Sequence, residues 1–371
     1  MARHYLDHAS TSSMRPCVRD AIVQALDHLT GDAGRIHEEG MATRVAIENA
    51  REVVGAFFGA RPREVVFTGG ATESIAMATW GAAERGAHQV ITAVEHSAVR
   101  RSAERSGDVT VVGVDVSGRV AAADVVRAIG PGTTLVHVQW ANHEVGTAQP
   151  VHEVVAACRE RDVLVHVDAA QAGGHLPIDF GALGADFLSI SAHKFGGPPG
   201  IGALLVRRGV RVRSLLLGGE QERARRAGLE NTPAIMGFAA ACTELASGGL
   251  AREAERAHAQ VERLASAALG IDGVRRYGHP HDRAPHLLCL GIDGIEPQAV
   301  LLGLDRRGVA VHSGSACASE GLEPSPVLAA MGADAHRSLR ASVGWDTTNA
   351  DIDACADALA EVIAHLRTYR G

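Results

Sequence analysis

Through residue 245, short runs of Val, Ile and Leu alternate with Ala-rich amphipathic stretches. The runs are EVVFT (64–68), HQVITA (88–93), VTVVGV (109–114), TLVHVQ (134–139), VLVHVD (163–168), DFLSIS (186–191) and GALLVRRG (202–209). They are apolar on both faces, which predicts buried central strands of a mostly parallel sheet. ESIAMATWGAAERG, HSAVRRSAERSG and VHEVVAACRERD read as helices between them. The alternation predicts an α/β doubly wound fold. Near residue 246 the pattern changes. ASGGLAREAERAHAQVERLASAALG reads as a long exposed helix, and HLLCLGI, PQAVLLGLDRRG, VAVHSGSAC, RSLRASVG and a final helix NADIDACADALAEVIAHLRTY follow it. That is a smaller α/β unit. Residues 13–245 are expected to form the large domain, and 1–12 with 246–371 the small one. No internal repeat or low-complexity linker separates them.

A chain of 371 residues, 46% of them hydrophobic, suits about two domains with a large buried core. The net charge of −7, without a basic run, gives no reason to expect nucleic acid or an anionic membrane as partner. The start MARHYLDHAS lacks an apolar signal region, and no apolar run is long enough to span a bilayer, so a cytoplasmic protein is expected. Cys17, Cys158, Cys242, Cys289, Cys317 and Cys355 include no C-x-x-C pair. That argues for free thiols in a reducing compartment. Five lie in apolar helix-like or strand-like contexts; Cys317 lies in HSGSACASEG, small polar residues with little to bury, which predicts a mobile and accessible thiol. HPHDRAPH (279–286) lacks a clear ligand set and reads as a solvated loop, so no metal is expected.

Lys and Arg total 36, and one of these is lysine: Lys194, in SAHKFGGPPG. Guanidinium serves for charge but forms no imine under ordinary conditions, so a primary amine kept after a strand and before a turn-rich stretch suggests Schiff-base chemistry. Asp168 ends the strand VLVHVD, where α/β sheets place ligands, and could pair with a pyridinium nitrogen. Gln171 follows one turn on. TGGATES (68–74) links a strand to a helix, and its backbone N–H groups at Ala71 and Thr72 favour an anion. It matches neither a Walker loop nor G-x-G-x-x-G. Ser191 and His193 flank Lys194 and could reach the same anion.

Further motifs occur in a fixed order: YLDHAST (5–11), IHEEG (36–40), FTGGATES (67–74), EHSAV (95–99), NHEVG (142–146), HVDAAQ (166–171), SAHKFGGPPGIG (191–202), HSGSACAS (312–319) and LRASVG (339–344). Together they resemble the NifS/IscS-type cysteine desulfurases, pyridoxal-phosphate enzymes of the aspartate aminotransferase fold (fold type I). The SGSAC form resembles the class with the long cysteine loop. The resemblance implies pyridoxal 5'-phosphate as cofactor, with Lys194 as the Schiff-base lysine, Asp168 on the ring nitrogen and Gln171 by the ring oxygen. It puts Thr72, Ser191 and His193 on the phosphate. It implies His96 stacked on the ring as an acid/base, and Asn142 with Arg340 on the substrate carboxylate. Cys317 would take sulfur from L-cysteine as a persulfide and pass it to a protein acceptor, leaving L-alanine. The large domain would carry the cofactor and the small one the cysteine loop, in a homodimer.

Two departures stand out. In GGEQERARRAGLENTP (218–233) Leu229 replaces the family's usual threonine, and Glu220 a frequent glycine, so the contact to the partner subunit's phosphate is in question. Arg225 or Arg226 is the candidate substitute donor. Pro326 replaces a frequent histidine. Selenocysteine lyase is the rival activity, and a non-catalytic pyridoxal-phosphate scaffold of a sulfur relay the rival class. Iron–sulfur assembly, tRNA thiolation, DNA phosphorothioation and cofactor biosynthesis are all open destinations for the sulfur.

Overall fold

The computed structural model describes residues 3–314 and 324–368. Its strands are β1 (His4–Tyr5), β2 (Val65–Thr68), β3 (His88–Thr92), β4 (Val109–Val112), β5 (Thr133–Gln139), β6 (Leu164–Asp168), β7 (Phe187–Ser191), β8 (Gly202–Val206), β9 (Val274–Tyr277), β10 (Leu287–Ile292), β11 (Val309–Ala310) and β12 (Ser338–Ser342). Seven of them form one sheet in the order β2-β8-β7-β6-β5-β3-β4. The pairs β3–β4, β3–β5, β5–β6 and β6–β7 are parallel, whereas β8 runs antiparallel to both β7 and β2. Hence β2 points the same way as β7, and the C-terminal ends of β2, β3, β5, β6 and β7 share one edge. Parallel sheets bind ligands at that edge.

The expected burial on both faces holds for β2, β5, β6, β7 and β8. It fails for β4, where Val111 is 57% exposed. β4 is one of the sheet's two edge strands, the other being the buried β2, and an apolar run alone does not tell an edge from a centre. Helices cover the remaining strands. Phe58, Phe195 and Phe238 meet with ring centroids 6.0–6.5 Å apart. Phe195 thereby fixes the residue next to Lys194 in the core.

One polar ladder crosses this apolar sheet. Gln89 Oε1 and His137 Nε2 lie 3.0 Å apart, His137 Nδ1 and His166 Nδ1 3.0 Å, and His166 Nε2 and Ser189 Oγ 2.7 Å. All four residues are fully buried, and burial pushes His137 down to about 3, so its ring is neutral. A buried polar chain of this kind helps to specify register, although Gln89 Nε2 stays without a partner. Two residues onward on β5, β6 and β7, on the same face, come Gln139, Asp168 and Ser191.

A second core gathers Leu6, Val261, Leu264, Leu288, Leu290, Leu339, Ile352, Leu359 and Ile363. It packs the helices Gly249–Leu269 and Asn349–Thr368 on the antiparallel sheet β12-β10-β9. The first strand β1 pairs in parallel with β11. Among the described residues no single helix is long and apolar enough to cross a membrane.

Candidate active site

Strand β7 ends at Ser191, and the turn Ala192–Phe195 carries the chain to Gly196. Gly196 has φ +84°, and a Cβ there would lie 2.7 Å from Arg15 Cγ, so glycine permits both the turn and the close approach. Lys194 Nζ donates to the Ala9 carbonyl at 2.6 Å and to the Ser10 carbonyl at 2.9 Å. Burial, aided by the Arg340 cation and opposed by Asp7 and Asp168, brings its amine down to about 8. Near neutrality a useful fraction of it is therefore unprotonated.

Asp168 stands at the end of β6. Among the described residues its carboxylate accepts one hydrogen bond, from the Ala170 amide at 2.9 Å. Burial pushes its pKa up, against that bond and the fields of His143 and Lys194. Gln171 is engaged at both ends: Nε2 donates to the Ala9 carbonyl at 2.8 Å, and Oε1 lies 3.2 Å from His286 Nε2.

Strand β2 leads through Gly69 and Gly70 into the helix Ala71–Ala82. Gly70 adopts φ +143° at the N-cap and no side chain caps the helix there, so the first-turn amides at Ala71 and Thr72 face the cavity as an anion cradle. Gly202 opens β8 opposite Thr68 and Ser191. A Cβ on it would come within 2.7 Å of Gly70 Cα, so this glycine allows the cradle to close on the sheet. Ser191 borders the cradle, and His193 Nδ1 lies 3.1 Å from Thr11 Oγ1. Burial beside Lys194 brings His193 down to about 4, making it a neutral hydrogen-bonding group.

His96 caps the helix Ser97–Ser106, its Nδ1 accepting the Ala98 amide at 3.1 Å. An Nδ1 that accepts is unprotonated, so the neutral ring carries its proton on Nε2. Burial, with His143, Lys194 and Arg100 nearby, pushes the ring down to about 3. His143 meets it edge-on, with centroids 5.0 Å apart.

Arg340, on β12, is 3% exposed. It donates to the His143 carbonyl at 2.7 Å, to Asp7 Oδ1 at 2.8 Å and to Ser10 Oγ at 2.7 Å. Its Nε is buried without a partner.

These groups surround one cavity of ≈ 920 Å³. It brings together Ala71, Thr72, His96, Asp168, Gln171, Ser191, His193, Lys194 and Arg340. Asn142 does not line it. The Asn142 Oδ1 accepts the Glu144 and Val145 amides and its Nδ2 donates to the Val94 carbonyl, so the side chain shapes a turn. Cys317 lies outside the described residues. Of the other thiols, Cys17 is partly buried and the remaining four are buried; burial pushes Cys158, Cys289 and Cys355 up to about 12, which leaves those three inert. Among the described residues no group of three His, Cys, Asp or Glu is placed to hold a metal. His279 in the 279–286 stretch accepts the His281 and Asp282 amides, and Asp282 pairs with Arg119.

The cavity also contains residues that sequence reasoning passed over: Ser10, Thr11, Glu73, His143 and His312. His143 lay inside a quoted motif, and its buried Nδ1 has no partner. Asp7 and Ser10 lay inside the motif YLDHAST, but their contact with Arg340 gave no signal, because it spans more than 300 residues of chain.

A lysine at the end of a parallel strand, a carboxylate on the next strand and an uncapped helix start define an α/β enzyme of the aminotransferase kind. The chain belongs to the aminotransferase class-V family, whose profile matches residues 4–355. Within that family it groups with the cysteine desulfurases. It is 39% identical to cysteine desulfurase IscS of Dictyoglomus turgidum, over 98% of this chain and 95% of the relative. It is also 39% identical to the cysteine desulfurase of Mus musculus, over 99% and 82%. Among solved structures, a NifS-like protein superposes with a TM-score of 0.91 at 30% identity, covering 98% of this chain and 100% of the other. SspA in complex with cysteine superposes at 0.81 with 29% identity, covering 92% and 98%.

Proposed function

We propose that this chain is a pyridoxal-phosphate-dependent cysteine desulfurase that converts L-cysteine to L-alanine and passes the sulfur, through Cys317, to a protein acceptor. The observation that carries the reading is Lys194: the chain's one lysine, half-buried, brought down to about 8 and facing a cavity that also holds Asp168 and an uncapped helix start.

The residues present fit the cofactor. The buried Asp168 carboxylate matches a protonated ring nitrogen, and the first turn of the helix Ala71–Ala82, with Thr72, Ser191 and His193, matches a phosphate. Gln171 and His96, which line the same cavity, would hold the ring's oxygen and its face. When bound, pyridoxal phosphate supplies an electron sink for the bonds at the substrate's Cα. The chain's own groups do the rest. Asp168 keeps its partner nitrogen protonated. Lys194, its amine brought down to about 8, would take up and return the α-proton. His96, neutral with its proton on Nε2, donates a hydrogen bond into the cavity. Arg340 offers its guanidinium to the substrate carboxylate, and Asn142 holds the backbone turn beside it. The Cys317 thiolate forms an S–S bond to the substrate sulfur as the substrate's C–S bond breaks, and protonation at the former Cβ gives the methyl group of alanine.

A homodimer, a division at residues 12/13 and 245/246, and action in a reducing cytoplasm complete the reading. Support for the last comes from the absence of disulfides among the described cysteines. The test is alanine and sulfide release from L-cysteine with a reductant, against selenocysteine in parallel. Cys317→Ser should keep the cofactor spectrum and bind L-cysteine, yet form no persulfide and almost no alanine. Sulfur appearing first on another thiol, or faster turnover of selenocysteine alone, would overturn the assignment.

A further inference from the structure

The anion cradle has a negative charge built into its own first turn. Glu73 is the third residue of the helix Ala71–Ala82 and lines the cavity. Its Oε2 accepts the Gly69 amide at 2.7 Å. The contact is so close that a Cβ at position 69 would lie 2.8 Å from that oxygen. Glu73 therefore shapes the loop before the helix, but it also places a carboxylate where a phosphate dianion must settle. Like charges at such range in a partly buried site repel.

Arg226 answers that charge. Its Nε donates to Glu73 Oε1 at 2.8 Å and its Nη2 to Oε2 at 3.4 Å. The two side chains are only 24% and 20% exposed. Arg226 is delivered by an unusual piece of backbone. Glu222, Arg223 and Ala224 have φ of +49°, +58° and +60°, a left-handed run without glycine. Such strain persists only where the surroundings impose it. Here Glu222, 4% exposed, receives Arg51 Nη1 and Nη2 at 2.7 and 2.8 Å and the Phe67 amide at 2.9 Å. The turn is thus fixed to β2, the strand that ends in the cradle.

We propose that Arg226 is a positioning residue that neutralises Glu73, so that the cradle keeps the loop-shaping carboxylate and still accepts a phosphate dianion. The inference rests on the pyridoxal-phosphate reading of the site. It differs from a direct Arg226–phosphate contact, because the guanidinium is already committed to Glu73.

The test is equilibrium binding of pyridoxal phosphate, and of pyridoxal lacking the phosphate, to the apoprotein by fluorescence titration. Arg226→Ala should weaken pyridoxal phosphate by about tenfold or more and leave pyridoxal unchanged. Glu73→Gln alone should bind at least as tightly as wild type, since its amide oxygen still accepts the Gly69 N–H. The double variant Glu73→Gln/Arg226→Ala should return to within about threefold of wild type, and Arg226→Lys should retain most of the affinity. A double variant as weak as Arg226→Ala would show that Arg226 serves the phosphate or the fold directly, and would overturn the proposal. Wild-type affinity in Arg226→Ala would overturn it too. A wild type that takes up neither ligand would overturn the reading of the site itself, and this inference with it.

Discussion

The two halves of the cavity are held in different ways. On the side of Asp168, Lys194 and the cradle, the groups stand at strand ends and on a helix start, and backbone geometry sets them. Asp168 keeps a nearly unpaired carboxylate and the helix Ala71–Ala82 an uncapped first turn. On the side of Arg340, both terminal guanidinium nitrogens and the Asn142 amide are already bonded to other parts of the chain. Its guanidinium serves Asp7, Ser10 and the His143 carbonyl, and the Asn142 amide faces backbone. A permanently held group needs a preorganised seat. A substrate that must come and go meets donors that trade one partner for another.

The strongest break in this contrast is at Lys194. Lys194→Ala and Lys194→Arg should both lose turnover by on the order of 10²–10⁴-fold, from the missing proton transfer alone. Pyridoxal phosphate should still bind noncovalently in the cradle. Borohydride trapping of the cofactor at Lys194 should rise with pH through about 8 and level off above it, because the neutral amine reacts. Between about 8 and its ordinary 10.5 the unfolded chain holds the extra proton, so the apoprotein should gain stability as pH rises through that window. Trapping that rises only above 10 would mean the amine is not depressed.

A smaller break comes at Arg340. Arg340→Ala should raise KM for L-cysteine by roughly ten- to a hundredfold, the worth of a charged hydrogen bond, with cofactor affinity little changed. Equal loss of cofactor would erase the division between the halves. Asp7→Asn sharpens it: removing the competing carboxylate should lower KM a few-fold. A higher KM would make Asp7 the group that aims Arg340 rather than one that is displaced.

The smallest effect is at Leu229, 68% exposed beside Gly69 in a side cavity of ≈ 140 Å³. With Arg226 engaged by Glu73, it is not free to replace a missing hydroxyl. Leu229→Thr should tighten pyridoxal phosphate by about two- to tenfold, one neutral hydrogen bond. No gain would mean that this segment does not approach a neighbouring subunit's phosphate.

The half around Asp168, Lys194 and the helix start was also the more legible half. Buried strands announce themselves by apolar runs, and a polar residue ending such a run, as Asp168 does, marks the ligand edge. Lys194 was visible from its rarity. Around Arg340, the arginine itself was named through its motif, but its partners Asp7 and Ser10 were not, because they meet it only through tertiary folding, and no local pattern shows that the Asn142 side chain turns inward. The antiparallel β8 escaped as well, since strand direction leaves no trace in an apolar run. Glu73 was quoted within its motif, but its pairing with Arg226 spans 153 residues.

A chain with one ε-amine, lining its cavity with its hydrogens given to Ala9 and Ser10, has a distinctive chemical address. Acylating reagents that label most proteins at many places can meet, besides the α-amino group, only Lys194. Any cellular enzyme that marks proteins on lysine side chains would have to mark this one, and would silence the chain by doing so. The extent of such labelling on the Lys194 peptide would count free ε-amines directly, without a substrate or a coupled assay.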